Sequence, residues 1–229
     1  MRFLLVLLMM FSGCAISPIP KNIEVLRQQS HEKCELIEHL LQPGDVIFRE
    51  GDALVAGGKV NFSQLIAKIS NSDFSHAVIV YKFVDSEAIV VDVSTLGLQR
   101  YYLIDWLIDG QRNIVVKRLS PSYRSYLPAI IEELSNQIKI DPLYDESLGQ
   151  RDDRTYCTGL VDHCFRKAGL PLAKPVAIRE LPNFKAVSII ASFASVFAGI
   201  DLDTKVVIAG NDEIGLFSSP CLETVIDLR

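Results

Sequence analysis

A chain of 229 residues, 49% apolar and 22% charged, has the balance of an ordinary globular protein. At that length roughly 70% of the unfolded surface is buried on folding, so no disulfide or metal staple is required. A net charge of −5 with no Lys/Arg cluster excludes nucleic acid as the main partner, because phosphate binding needs concentrated positive charge.

The N-terminus opens with Arg2, an apolar stretch over residues 3–11, and the small residues Ser12 and Gly13 before Cys14. Residues 1–13 are expected to be a cleaved secretory signal, too short to span a hydrocarbon layer of ~30 Å. Phe11-Ser12-Gly13-Cys14 resembles a bacterial lipobox, departing from it at Phe11, where leucine is usual. That resemblance implies that Cys14 starts the mature chain and carries acyl chains such as palmitate, several of which anchor stably where one does not. Ala15 after the cysteine, rather than aspartate, then favours the outer membrane facing the periplasm. The plainer alternative is a signal peptide with a chance cysteine.

Residues 14–40 are expected to form a tether, with Pro18 and Pro20, followed by a helix that extends over residues 22–41 and stops at Pro43-Gly44. Residues 41–229 are expected to be one folded domain. Asp45 to Phe48 is a short strand, residues 51–58 a loop, and Phe62 to Ser70 a helix with Phe62, Leu65, Ile66 and Ile69 on one face. Two strands follow, Ala77 to Phe83 and Ala88 to Val93, joined by a turn at Asp85-Ser86. Residues 96–99 turn again, and residues 101–107 are short and amphipathic. Ile114 to Leu119 is a strand, and Leu127 to Ile140 is a helix stopped by Asp141-Pro142. Cys157 begins a helix that ends at Gly169. Residues 206–208 and 224–228 are terminal strands. Residues 187–200 are almost uncharged but too short to span a bilayer as a helix. A buried helix is the simpler reading of them, and a lid or membrane-facing helix the alternative.

Two residues at the edges of apolar runs suggest chemistry. His76 opens the strand Phe74-Ser75-His76-Ala77-Val78-Ile79-Val80, and Cys157 opens the helix Tyr156-Cys157-Thr158-Gly159-Leu160-Val161. A thiol needs a base to become a nucleophile at neutral pH, and imidazole is the usual one. A helix N-terminus favours a thiolate and offers N–H groups to an oxyanion. His163 and Cys164 follow Cys157, but a step of six along a helix turns ~240° away and gives no credible four-ligand metal set. His31 and His39 belong to the charged N-terminal helix. Cys34 and Cys221 could pair in an exported protein, with buried free thiols as the alternative.

Together with Gly44-Asp45-Val46-Ile47-Phe48, these two motifs resemble the circularly permuted NlpC-type papain-like cysteine hydrolases, the YiiX/YebB-like group. The resemblance spans residues 41–228. It implies an α+β papain-like fold, with a central antiparallel sheet or small barrel packed against helices and the nucleophile at a helix N-terminus. It assigns Cys157 as nucleophile, His76 as general base, and Asp92 of Val90-Val91-Asp92-Val93 as the group that orients the imidazole, where the family often has glutamate. Tyr156 would help to hold the oxyanion. Asp45 and Ser75, in the other two motifs, would line the oxyanion site or cleft, as would Asp145 of Pro142-Leu143-Tyr144-Asp145. No cofactor and no metal are implied.

The expected activity is acyl transfer by a Cys-His-Asp triad, cleaving an amide in a cell-wall peptide or a lipid-linked substrate. A lipid ester or amide acyltransferase, or a thioesterase, is the nearest rival. A non-catalytic binding lipoprotein with the same fold is the second alternative.

Overall fold

The computed structural model describes residues 23–51, 54–55, 60–108, 113–149, 151, 153–186 and 200–229. Cys14, the expected signal and nearly all of the 187–200 stretch lie outside the described residues.

In chain order, helix α1 (Ile23–Ile37) leads through a 3₁₀ turn into strand β1 (Val46–Arg49). A two-residue ladder, β2 (Leu54–Val55) with β3 (Val60–Asn61), lies where the sequence suggested only a loop. Helix α2 (Phe62–Ser70) is capped by the Asn61 side chain, which accepts the Gln64 N–H at 2.9 Å. Strands β4 (His76–Val84) and β5 (Glu87–Ser94) form a hairpin whose turn residues Asp85 and Ser86 both have positive φ, matching the twist of the paired strands. Strand β6 (Gly97–Tyr102) continues the meander, and helix α3 (Leu103–Ile108) and strand β7 (Ile114–Leu119) follow. Helix α4 (Leu127–Ile140) ends at Asp141 in the left-handed conformation. Short strands β8 (Leu143–Tyr144) and β9 (Arg154–Thr155) lead to helix α5 (Cys157–Lys167). The chain closes with β10 (Val176–Ala177), β11 (Lys205–Val206) and β12 (Leu222–Leu228).

The main sheet is antiparallel and open, in the order β12-β7-β1-β4-β5-β6. Helices cover both faces. On one, Ile130 and Leu134 of α4 and Leu160, Val161 and Phe165 of α5 pack against Val46, Phe48, Ala77, Ile79 and Val91. On the other, Cys34 and Ile37 of α1 and Leu103, Trp106 and Leu107 of α3 pack against Ile47, Val78, Val80 and Val90. Period-2 alternation assigns each strand residue to one layer or the other, so the apolar runs of β1, β4 and β5 are buried on both sides. The α+β class and the central antiparallel sheet are as the sequence suggested, in the sheet form rather than the barrel.

One expectation changes, and one open alternative is resolved. Residues 97–102, read as a turn and part of an amphipathic piece, form a full strand, with Gly97 (φ +83°) supplying the conformation that lets β6 start directly opposite Ser94. Cys34 and Cys221 are not paired: both are free, and they lie in core layers on opposite sides of the sheet.

Candidate active site

The β1–β4 register sets Arg49 opposite His76, so both sit at the same end of the sheet. Asp92 lies on β5, two residues from the position that would face His76, on the same face. The His76 Nε2 and Asp92 Oδ2 atoms are 2.9 Å apart. Cys157 lies close enough to act on the imidazole as well, after Asp92. Helix α5, which carries Cys157, packs on the opposite face of the sheet from Asp92 and Trp106. Sulfur, imidazole and carboxylate therefore meet around the sheet end, each supplied by a different element.

Burial alone would depress the His76 imidazole. The Asp92 carboxylate, and after it the Cys157 sulfur, outweigh burial and push the imidazole up to about 10. Burial likewise opposes the Asp92 anion, but the His76 and Arg49 charges and the hydrogen bonds from His76 and Trp106 hold its carboxyl below the usual carboxylate range. With 13% of the His76 side chain and 4% of the Asp92 side chain exposed, water screens the pair little.

Trp106 and Arg49 have no counterpart in the sequence reading. The Trp106 Nε1–H donates to Asp92 Oδ2 at 3.0 Å, and its ring stacks near His76 at 6.0 Å between centroids. Arg49 places its guanidinium 3.8 Å from the centre of the Trp106 ring and donates from Nη1 to the Trp106 carbonyl at 2.6 Å. Arg49 thus clamps the indole that clamps the carboxylate. The available signal was slight: the one tryptophan of the chain, and an arginine ending an apolar strand.

At the N-terminus of α5 the first intrahelical bond runs from Leu160 N–H to the Tyr156 carbonyl at 2.8 Å. The Cys157 and Thr158 amides precede that ladder and stand at the positive end of the helix dipole, the arrangement an oxyanion needs. Tyr156 is the N-cap residue, but its hydroxyl points into the protein and accepts the Val207 N–H at 3.0 Å. Thr158 Oγ1 donates to the Val207 carbonyl at 2.7 Å. The two side chains fix the first turn of α5 to one backbone segment.

Of the other expected site residues, Ser75 lies beside His76 in the chain but turns its hydroxyl to accept the Gly51 N–H at 3.0 Å. Gly51 fits tightly there, since a Cβ on it would lie 3.2 Å from the His76 Cβ and 2.8 Å from Ser63 Oγ. Asp45 is not brought to the site. It precedes β1 at the end opposite Arg49, fully buried, with Arg118 Nε and Nη2 each donating to it at 2.8 Å and the Gln42 N–H at 2.7 Å. Its buried ion pair locks the entry to β1. Asp145 is buried near the segment that leads into Cys157, where its amide donates to the Thr155 carbonyl at 2.8 Å. It lines a cleft of about 500 Å³ together with Leu96, Gly97, Leu143, Tyr144 and Arg151. Burial first, then the nearby Cys157, pushes the Tyr144 phenol up. His163 faces α4, with Glu133 at 2.9 Å and Gln137 at 3.0 Å.

A thiol at a helix N-terminus, an imidazole at a strand end and a carboxylate on the next strand, with the histidine first in the chain, define a permuted papain-like site. Residues 40–184 match the family model of the permuted papain-like amidase enzymes, YaeF/YiiX, C92 family, and the chain belongs to that family. Among solved structures it is similar to YiiX from Escherichia coli O157:H7, with a TM-score of 0.62 and 22% identity over 81% of this chain and 97% of that one. That likeness carries the fold. No curated protein matches the sequence. YiiX is described as a metalloprotein. Among the described residues here, no three or more His, Cys, Asp or Glu side chains gather as metal ligands, so these residues do not fit a metal site.

Proposed function

We propose that the chain is a cysteine amidase that works by acyl transfer through Cys157, His76 and Asp92. The observation that carries the reading is the Asp92–His76 pair at the sheet end, with Cys157 at the start of α5 close enough to act on the imidazole. The Cys157 thiolate attacks the amide carbonyl, forming a C–S bond, while the α5 amides hold the oxyanion. The C–N bond breaks as the His76 imidazolium gives its proton to the departing amine. Water then adds to the thioester, giving its proton back to His76, and the C–S bond breaks to release the acid. Asp92 keeps the imidazole oriented throughout. The substrate class we favour is a cell-wall peptide or a lipid-linked amide.

Labelling with iodoacetamide, read by peptide mass spectrometry, tests the assignment. Cys34 and Cys164 are buried and their thiols pushed up, and Cys221 is buried, so Cys157 should label first. Cys157→Ala should abolish this modification and His76→Ala should slow it. Equal rates of Cys157 labelling in the wild type and His76→Ala would refute the dyad. Screening peptidoglycan fragments and phospholipids against the purified chain then identifies the bond.

One observation favours the lipid branch: Leu96 and Leu143, both at the cleft, are 75% and 53% exposed, an apolar rim open to a hydrocarbon chain. A membrane tether at Cys14 would suit either branch and would place the enzyme on the periplasmic side of the outer membrane. Incorporation of labelled palmitate that survives in Cys14→Ser would rule the tether out.

A further inference from the structure

The cleft at Leu143 and Tyr144 contains a carboxylate that the described residues only half satisfy. Asp145 is 1% exposed. Its Oδ1 accepts the N–H of Ser147 at 3.0 Å and the Ser147 hydroxyl, with the Arg151 Nη2 at 3.9 Å. Its Oδ2 has no hydrogen-bond donor among the described residues. An acceptor of this kind, buried without a donor, is costly to fold around. Asp45, by contrast, has both oxygens paired with Arg118 at 2.8 Å, while Asp92 is held by His76 and Trp106 at Oδ2 and, like Asp145, has one oxygen without a donor among the described residues.

The position of Asp145 says what could reach it. Strands β8 and β9 are parallel with Tyr144 opposite Thr155, so Asp145 stands about one strand spacing, ~4.8 Å, from the segment that runs into Cys157. A dipeptide extends ~7 Å, enough to bring its amino end to Asp145 with a carbonyl at the thiol. We infer that Asp145 Oδ2, together with the cleft walls at Gly97, Leu143 and Tyr144, receives the free ammonium group of a peptide substrate one or two residues from the scissile carbonyl. An ammonium brings donors to an oxygen that has none among the described residues, and a charge-assisted bond of this kind is about twice as strong as a neutral one. The arginine at Oδ1 is long and 64% exposed, and leaves Oδ2 to the ligand. The inference rests on the amidase reading only for the cleavage of the bound peptide, not for its binding.

Calorimetric titration of the full chain carrying Cys157→Ala, with alanylalaninamide and its N-acetyl derivative, tests it. The free amine should bind at least tenfold more tightly than the acetylated peptide. Asp145→Asn, which keeps the Oδ1 acceptor for Ser147, should bring the two within about twofold. Equal affinities in the parent, no binding of either peptide, or a preference that survives in Asp145→Asn would overturn the inference. Should Asp145→Asn fail to fold, the pH series on the parent decides. Affinity should fall above about pH 8, where a peptide amine loses its proton, and a flat profile from pH 6 to 9.5 would overturn it. Iodoacetamide reactivity of Cys157 in the unmodified chain reads the amidase assignment separately, so the two can fail independently.

Discussion

Replacing Asp92 with Asn keeps the shape of the side chain and removes the charge that most strongly opposes the effect of burial on His76. The imidazole ordinarily titrates near 6.5 and is held at about 10 here, by Asp92 first and by Cys157 second. At 1.36 kcal/mol per unit this displacement corresponds to at most about 5 kcal/mol of preference for the imidazolium. Burial pulls the other way, so without the carboxylate the imidazole should fall by at least two units. The sign for stability follows from linkage. A raised folded value means that the contribution is complete below about pH 6.5 and is lost as pH rises through about 10. The wild type should therefore lose stability to urea between pH 6.5 and 10, and Asp92→Asn should lose much less over the same range. The His76 ring protons, followed by NMR, give the midpoint directly, and the pH dependence of Cys157 alkylation gives its functional counterpart. A midpoint in Asp92→Asn within half a unit of the wild type would refute the electrostatic account of the site.

Trp106→Phe removes only the N–H that Asp92 accepts while keeping a ring for Arg49 and His76, so it should cost about 1–3 kcal/mol in urea stability and roughly tenfold in the Cys157 alkylation rate. Asp45→Asn breaks a buried ion pair at the far end of β1. It should lower stability by about 3–5 kcal/mol while leaving the alkylation rate of the folded protein unchanged, as a paired urea and iodoacetamide experiment would record. Tyr156→Phe leaves the Val207 N–H without its acceptor and should cost about 1–3 kcal/mol on thermal unfolding, and because that bond anchors the first turn of α5 it should also slow Cys157 alkylation.

Much of this site could be read along the chain because its residues lie where elements begin. His76 starts β4, Cys157 starts α5 and Asp92 sits two residues before the end of β5, so the reading of three elements was enough to single out three candidate side chains. The helices Phe62–Ser70 and Leu127–Ile140 were legible from their apolar spacing and their stops. What was hidden depends on partners distant in sequence. Trp106 and Arg49 join the site only because α3 folds back over the sheet end, and neither belongs to a periodic pattern. Asp45 is indistinguishable in sequence from a cleft residue, and only the β1–β7 pairing that brings Arg118 alongside gives it a different task. Strand β6 was obscured because Thr95-Leu96 carries none of the usual turn residues; the conformational freedom of Gly97 makes that turn.

The reversed order of histidine and cysteine has a simple physical basis in this arrangement. The thiol belongs to a helix in one layer, and the imidazole and carboxylate to strands whose neighbours in the other layer are α1 and α3. No covalent link near the site fixes their separation. It is set by the packing of α5 against β4 and β5, through Leu160, Val161 and Phe165 on Ala77, Ile79 and Val91, and by the anchoring of the first turn of α5 at Val207. Chain order therefore has no bearing on the geometry, provided the loops stay clear of the sheet end. Core packing does bear on it, because a cavity beneath α5 would let the helix N-terminus move relative to His76. The buried neighbours of α5, β4 and β5 thus share in setting where the α5 N-terminus stands relative to His76.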